Sequence, residues 1–249
     1  FHVAERTAFL DHLTRGRAIL GIGPSNLVTD KRLFAIAQDT LYPMMRESVD
    51  LIVKFLETSD PFDHDGEFWS FRNMRLQLRS YQQPRLPLAI ASTSGSDDVL
   101  DLAARHGMIL MSGVGKKRPK GLAENWARFG ELATNYDKTP SRDNWRVATA
   151  MHLAESREEA WNEVRAGILR EAEYFAKIGL KSVYESYPGQ PIDEFTAKSC
   201  VDMRDWVVGT PDDAISWIDV VRLYMTSEIV PVYCESLFKN IAILLMLEH

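Results

Sequence analysis

The run LDHLTRGRAILGIGPS, residues 10–25, constrains the fold of this chain more than any other feature. It joins a helix end, a glycine turn and an apolar strand that stops at a Gly-Pro-Ser loop. Gly16 suits the left-handed position that ends a helix, and Arg15 and Arg17 lie at the helix's negative end. The apolar segment 18–22 is typical of a strand buried on both faces. The run therefore predicts one step of an α/β fold, with any ligand at the strand's carboxyl end.

Helices and strands continue to alternate along the chain. Helical spacing predicts helices at 3–13, 41–56, 97–105, 122–136, 156–178 and 210–224, and apolar runs predict strands at 18–22, 88–91, 108–112, 146–153 and 241–247. In the second helix the residues that repeat at three and four predict a core face: Met44, Met45, Val49, Ile52, Val53 and Leu56. The aromatic and proline-containing segment 57–87 predicts a hairpin-like excursion between two strands. We expect a single domain over residues 1–249.

Charge and cysteine content exclude several classes of partner. The net charge is −6 and the isoelectric point is about 5.6, which disfavours nucleic acid and anionic membrane surfaces. No apolar stretch is long enough to span a membrane, and the start lacks the features of a signal peptide. Cys200 and Cys234 are far apart, so we expect reduced structural cysteines in a cytoplasmic protein.

The segment after the strand at 88–91 has the chemistry of a phosphate site. Ser92, Thr93, Ser94, Gly95 and Ser96 precede a helix that opens with Asp97 and Asp98. Backbone N–H groups and short hydroxyls at a helix start bind phosphate, whereas the two carboxylates oppose it. An ordinary helix cap is the alternative. Neither GxGxxG nor GxxxxGK[ST] occurs, so a Rossmann or P-loop fold has little support.

No protein-borne catalyst is evident in the sequence. His12 and His106 lie at predicted helix ends and His152 lies in an apolar strand, so we interpret all three as structural. His64, between Asp63 and Asp65, could bind a metal, but adjacent residues seldom converge on one ion, and we predict no metal site. The basic loop at 115–120 is interpreted as surface, with a phosphate or a partner enzyme as the alternative. The absence of a triad or a carboxylate pair favours a cofactor that brings its own chemistry.

Several phrases together resemble the luciferase-like flavin monooxygenases over about residues 10–219. They are LDHLTRGRAILGIG, DGEFWSFRNMRLQLRSYQQPRLPLAIAS, RVATAMHLAESREEA and GTPDDA. This family folds as a (β/α)8 TIM barrel and binds reduced FMN at the carboxyl ends of the strands. The resemblance implies that strands 4 to 8 are present and that about 90 residues with the first three strands are absent. The chain starts without Met and directly on a helix, so we expect either an internal piece or a shortened barrel.

The resemblance implies a flavin-dependent monooxygenase. Reduced FMN from a separate flavin reductase would react with O2 and oxygenate a small apolar molecule such as an aldehyde, ketone or terpene. The implied cofactor-binding residues are Gly23, Pro24, Ser25, Ala91, Ser92, Thr93, Ser94, Gly95, Ser96, Met111 and Ser112. Catalytic residues cannot be assigned. Luciferases proper have a Cys-Arg pair where this chain has Gly23-Pro24, so light emission is not expected.

Two alternatives remain open from the sequence. One is a flavin-binding or subunit-like relative without turnover, which the missing strands and acid–base residues favour. The other is an oxidoreductase that uses the deazaflavin F420, since that branch shares the barrel and the phrases. We also expect a homodimer, and open sheet edges in the five-strand piece would promote further self-association.

Overall fold

The computed structural model describes residues 1–24, 28–92, 95–113, 118–177, 194–204, 206–225, 231–232 and 246–247. Its helices are α1 His2–Thr14, α2 Val28–Leu33, α3 Leu41–Glu57, α4 Asp97–His106, α5 Arg118–Thr134, α6 Arg157–Lys177, α7 Glu194–Arg204 and α8 Pro211–Met225. Its strands are β1 Leu20–Ile22, β2 Phe62–Asp65, β3 Ser70–Met74, β4 Leu88–Ala91, β5 Ile109–Gly113, β6 Trp145–Ala148, β7 Met151–Leu153, β8 Val207–Gly209, β9 Pro231–Val232 and β10 Met246–Leu247. None of the helices described is both long and apolar enough to cross a bilayer.

A parallel sheet with the order β1-β4-β5-β6 forms the centre of the fold. The strand pairing is interrupted after β6 at Thr149 and Ala150, and β7 then pairs in parallel with β8. The strand predicted at 146–153 is therefore two short strands that belong to different sheets. Together the two sheets give five successive parallel strands, as expected for part of a (β/α)8 barrel.

The strand predicted at 241–247 is present at its described end, but it does not belong to this parallel series. The described part of 241–247 is β10, which pairs antiparallel with β9. The fifth parallel strand is β8, only three residues long and directly followed by the GTPDDA phrase. A run of three residues is too short to show strand periodicity, so β8 was not predicted, and neither was α7.

One face of the sheet packs on α3, α4 and α5. Leu88, Ile90, Leu110, Trp145 and Val147 lie in one cluster with apolar residues of these helices, and all are at most 3% exposed. The predicted core face of α3 is confirmed, since five of its six residues are buried and Met44 is half-buried.

The LDHLTRG run anchors the chain segment that leads into β4. Arg15 and Gly16 both have positive φ, 54° and 81°, so the left-handed turn spans both residues. Asp11 is fully buried. Its carboxylate accepts hydrogen bonds from the backbone N of Gln82 at 2.9 Å and from the side-chain Nε2 of Gln82 at 2.8 Å. Gln82 Nε2 also donates to the Ala18 carbonyl. The end of α1, the start of β1 and the approach to β4 are thereby joined at one buried carboxylate.

The β2–β3 hairpin lies between β1 and β4 in the chain and is held to α3 by Glu47. This carboxylate accepts from His64 Nε2 and from the backbone N–H groups of Phe68 and Trp69, each at 3.0 Å. Burial alone would raise the pKa of Glu47, but these hydrogen bonds outweigh it and hold the pKa below its usual value. A Cβ on Gly66 would lie 1.9 Å from Glu47 Oε1, so any other residue at this turn would displace the carboxylate from these hydrogen bonds.

Candidate functional site

The carboxyl ends of β1, β4 and β5 bring three of the predicted site residues side by side. Ile22 pairs with Ile90, so Gly23 follows at the level of Ala91. Ala91 pairs with Met111, which in turn pairs with Arg146 of β6. The row formed by Gly23, Ala91 and Met111 is thus the centre of the candidate site.

The face turned away from the helices carries very small residues along β1 and β4. Side chains alternate along a strand, so Gly21, Gly23, Ala89 and Ala91 lie opposite the face that packs on α3 and α4. A Cβ on Gly21 or Gly23 would meet no atom of the described residues within 4 Å. Neither glycine has a positive φ, so the backbone does not require glycine there. We refer to these four residues as the small-residue strip. Gly21, Gly23 and Ala91 are exposed and form a surface that a planar ring could approach closely, whereas Ala89 is buried beneath it.

Ser92 and Ser112 lie on the other side of the sheet. Each is 3% exposed. Ser112 Oγ accepts a hydrogen bond from Trp145 Nε1 at 3.0 Å, and the Ser92 amide donates to the Met111 carbonyl at 2.7 Å. The Ser92 hydroxyl has no hydrogen-bond partner among the described residues. Both hydroxyls therefore lie in the buried layer rather than on the small-residue strip, and their predicted contact with a flavin stays a prediction.

The loop between β4 and α4 is described only in part. Thr93 and Ser94 lie outside the described residues, as does Ser25 after β1, whereas Pro24 is half-buried. Residues 115–117 of the basic loop also lie outside them, and α5 begins at Arg118.

Gly95 and Ser96 connect this loop to α4. Gly95 has φ +66°, and a Cβ on it would lie 2.1 Å from Asn125 Oδ1. Position 95 therefore favours glycine for two reasons: the positive φ, and the close approach of Asn125 from α5. Ser96 is the N-cap residue of α4, yet its side chain makes no capping hydrogen bond.

Arginines from two other helices balance the carboxylates at the start of α4. Arg128 of α5 donates to both Asp97 oxygens, at 2.7 and 3.0 Å, and these hydrogen bonds lower the pKa of Asp97. Arg46 of α3 lies 3.5 Å from Asp98. The repulsion that the two carboxylates would exert on a phosphate is thereby reduced, and the helix dipole still favours an anion. Sequence reasoning missed both arginines because no local pattern links them to α4.

At the carboxyl ends of β7 and β8, an ion pair joins the helices that follow. Arg157 of α6 donates to Asp213 of α8 at 2.6 and 2.9 Å, and Asp213 also accepts from the Thr210 amide at 2.9 Å. These contacts, chiefly that with Arg157, lower the pKa of Asp213. Pro211 takes the first position of α8. Ser156 caps α6, since its Oγ accepts a hydrogen bond from the Glu159 amide.

The histidines hold elements together. His12 Nε2 bonds to the Arg79 carbonyl at 2.8 Å, His106 to Asp50 at 2.6 Å, and His152 to Glu163 at 2.8 Å. The imidazole of His64 makes its hydrogen bond with Glu47, on α3, and not with the adjacent Asp63 or Asp65. Within the described part of the chain, no three His, Cys, Asp or Glu side chains are grouped so that they could hold a metal ion.

Two curated proteins are similar to most of this chain. A 4-hydroxyprotoasukamycin monooxygenase of Streptomyces nodosus subsp. asukaensis is 31% identical over 227 residues, 89% of this chain and 59% of that protein. A limonene 1,2-monooxygenase of Rhodococcus erythropolis is 28% identical over 222 residues, 88% of this chain and 54% of that protein. The chain therefore spans little more than half the length of these relatives.

A solved structure shows the same fold. It is the oxygenating constituent of a 3,6-diketocamphane monooxygenase from Pseudomonas putida in complex with FMN, which superposes with a TM-score of 0.68 at 21% identity. The match covers 90% of this chain and 66% of that one. The prediction of a luciferase-like α/β barrel is thus confirmed. The family model for luciferase-like monooxygenases matches residues 1–226. This chain therefore belongs to the luciferase-like monooxygenase family.

Proposed function

We propose that this chain forms the flavin-binding side of an FMN-dependent monooxygenase that oxygenates a small apolar organic molecule. The observation that carries the proposal is the small-residue strip, which ends beside the start of α4. The two named relatives are monooxygenases, which supports this class of reaction. Aldehydes, ketones and terpene-like molecules are the substrate classes we favour.

The residues at the strand ends fit a bound flavin mononucleotide. The strip from Gly21 to Gly23, with Ala89 and Ala91 beside it, leaves space for the ring because no side chain longer than a methyl group projects there. The start of α4 and the Ser96 hydroxyl would hold the phosphate. Reduced flavin supplies the reaction with O2, and a separate reductase would supply the reduced flavin. The protein's own part would be to orient the ring and exclude water.

The role of the strip is tested by adding side chains at Gly23. The backbone accepts either side chain there, because φ is not positive and a Cβ meets no atom of the described residues within 4 Å. We expect Gly23→Ala to weaken FMN binding slightly and Gly23→Val to weaken it by at least about tenfold, or 1.4 kcal/mol. FMN fluorescence quenching measures the affinity, and the Tm of the protein without flavin should not fall in either variant. Full FMN affinity in Gly23→Val would refute the placement of the ring.

The phosphate contact is tested with two serines that occupy equivalent helix starts. Ser96 makes no capping bond, whereas Ser156 caps α6 through the Glu159 amide at 3.1 Å. Ser96→Ala should weaken FMN binding by about tenfold, since one charge-assisted hydrogen bond contributes about 1.5–3 kcal/mol, and should leave riboflavin binding unchanged. Ser156→Ala should lower stability by about 1 kcal/mol without affecting FMN. Equal losses for FMN and riboflavin would contradict the assignment.

Two further measurements distinguish the proposed monooxygenase from an F420-dependent oxidoreductase and from a protein that only binds flavin. Tighter binding of F420 than of FMN would move the proposal to a deazaflavin-dependent oxidoreductase. Oxygen uptake with reduced FMN, measured with and without an apolar aldehyde or ketone, distinguishes an oxygenating enzyme from a protein that only binds flavin. Substrate-dependent product formation is the result that our proposal requires.

A further inference from the structure

A second cavity lies away from the small-residue strip. It has a volume of about 470 Å³ and lies between α6 and the β7–β8 pair. Its lining includes Ala150 and Trp206, which precede the two strands, so it reaches the amino ends of β7 and β8. Its size is within the range of small-molecule sites, about 300–1,000 Å³.

The walls of this cavity are largely apolar. Met151 and Val207 from the strands and Ile168 from α6 are at most 6% exposed, and Val164 adds a further apolar side chain. A hydrocarbon group placed there would be removed from water on several sides, which is the main source of affinity for apolar ligands.

A glycine in the middle of α6 widens the cavity. Gly167 lines it, and among the described residues a Cβ on it would meet Arg170 Nη2 alone, at 4.0 Å. Glycine is unfavourable within a helix, and no described neighbour is close enough to exclude a side chain here. Its absent side chain leaves room on the cavity side of the helix.

A cation lies at the exposed rim of the cavity. Arg170 lines it and has no carboxylate within ion-pair distance among the described residues. The other polar groups are already engaged: His152 contacts Glu163 at 2.8 Å, and Glu171 has an interaction of its own. Glu171 also lines the cavity, but Arg170 has no ion pair within the described part of the chain, so its guanidinium can contact the charged group of an amphipathic anion whose hydrocarbon part fills the apolar space.

We propose that this cavity binds an amphipathic organic monoanion such as a medium-chain carboxylate. The hydrocarbon part would lie between α6 and the β7–β8 pair, and the carboxylate would contact Arg170. This inference is independent of the flavin site, because the two sites share no residue.

Decanoate and its neutral counterpart decan-1-ol are suitable probes, titrated calorimetrically below the concentration at which they aggregate. Decanoate should bind one per chain and more tightly than decan-1-ol. Arg170→Met should weaken decanoate by at least about tenfold and leave decan-1-ol within about twofold, because only the anion uses the charge. Equal affinity of the unaltered protein for the two probes would overturn the anionic assignment.

Filling the cavity provides the second test, with a matched control. Gly167→Leu should abolish binding of both probes. Gly130 on α5 is also a helical glycine, and a Cβ added to it would meet no atom within 4 Å. It does not line the cavity, so Gly130→Leu should bind both probes normally. Circular dichroism and Tm establish that both variants are folded. Retained binding in folded Gly167→Leu, or no saturable binding to the unaltered protein, would overturn the proposal.

Discussion

Replacing Asp11 with alanine should destabilise the fold more than the same replacement at any exposed carboxylate. Asp11 is fully buried at the end of α1, and its two oxygens accept from the amide N and Nε2 of Gln82, at 2.9 and 2.8 Å. The variant leaves both donors without their acceptor, although Nε2 keeps its bond to the Ala18 carbonyl. The joint between α1, β1 and the approach to β4 is then lost.

The expected magnitude follows from these two bonds. A hydrogen bond to a charged group contributes about 1.5–3 kcal/mol, and the alanine variant no longer bears the cost of burying the carboxylate. Gln82 is only half-buried, so water can bind in part to the two donors that lose their acceptor. We therefore expect a net loss of about 3 kcal/mol, which corresponds to a fall in Tm of roughly 6–12 °C for a chain of this size.

Differential scanning calorimetry at neutral pH measures this change. The control is Asp65→Ala, which removes an exposed carboxylate held by both Nη atoms of Arg72, at 2.7 and 2.9 Å. Its Tm should stay close to that of the unaltered protein because solvent screens exposed ion pairs. If Asp11→Ala lowers Tm no more than Asp65→Ala does, the buried joint contributes nothing and the reasoning is refuted.

Two further predictions concern Glu47 and Trp145. The pKa of Glu47 is lower in the folded protein than in the unfolded chain, so its contribution is present above the unfolded value of about 4.3 and is lost as pH falls through the folded value. Glu47→Gln should therefore lower Tm near pH 6 and show a smaller further fall toward pH 3, and parallel Tm curves would contradict this. Trp145→Phe removes the indole donor to Ser112 and should cost about 2 kcal/mol in urea unfolding. Combined with Ser112→Ala, the loss should be less than additive, and strict additivity would show that the bond has no energetic weight.

The candidate site could be anticipated only in part. The family resemblance implied Gly23, Ala91 and Met111 as site residues, and the sheet register does bring them together. The buried orientation of the Ser92 and Ser112 hydroxyls was not anticipated. Orientation depends on which face of each strand packs on the helices, and short strands with apolar residues on both faces do not show this in their pattern.

The sequence by itself determined the local elements. The helix predicted at 41–56 is α3, Leu41–Glu57, and the strand predicted at 88–91 is β4, Leu88–Ala91. Periodic apolar residues, a helix-ending glycine and the Ser156 cap act within a few positions, so the neighbouring residues are sufficient to specify them.

Only the tertiary structure decided which distant groups meet. Asp11 and Gln82 are 71 positions apart, and Asp97 and Arg128 are 31 apart. The pairing of β7 with β8 in a second sheet, after the interruption that follows β6, likewise depends on packing against α6 and α8. Such contacts form because the packed helices and sheet place these groups together, and their energies depend on the burial that this packing creates.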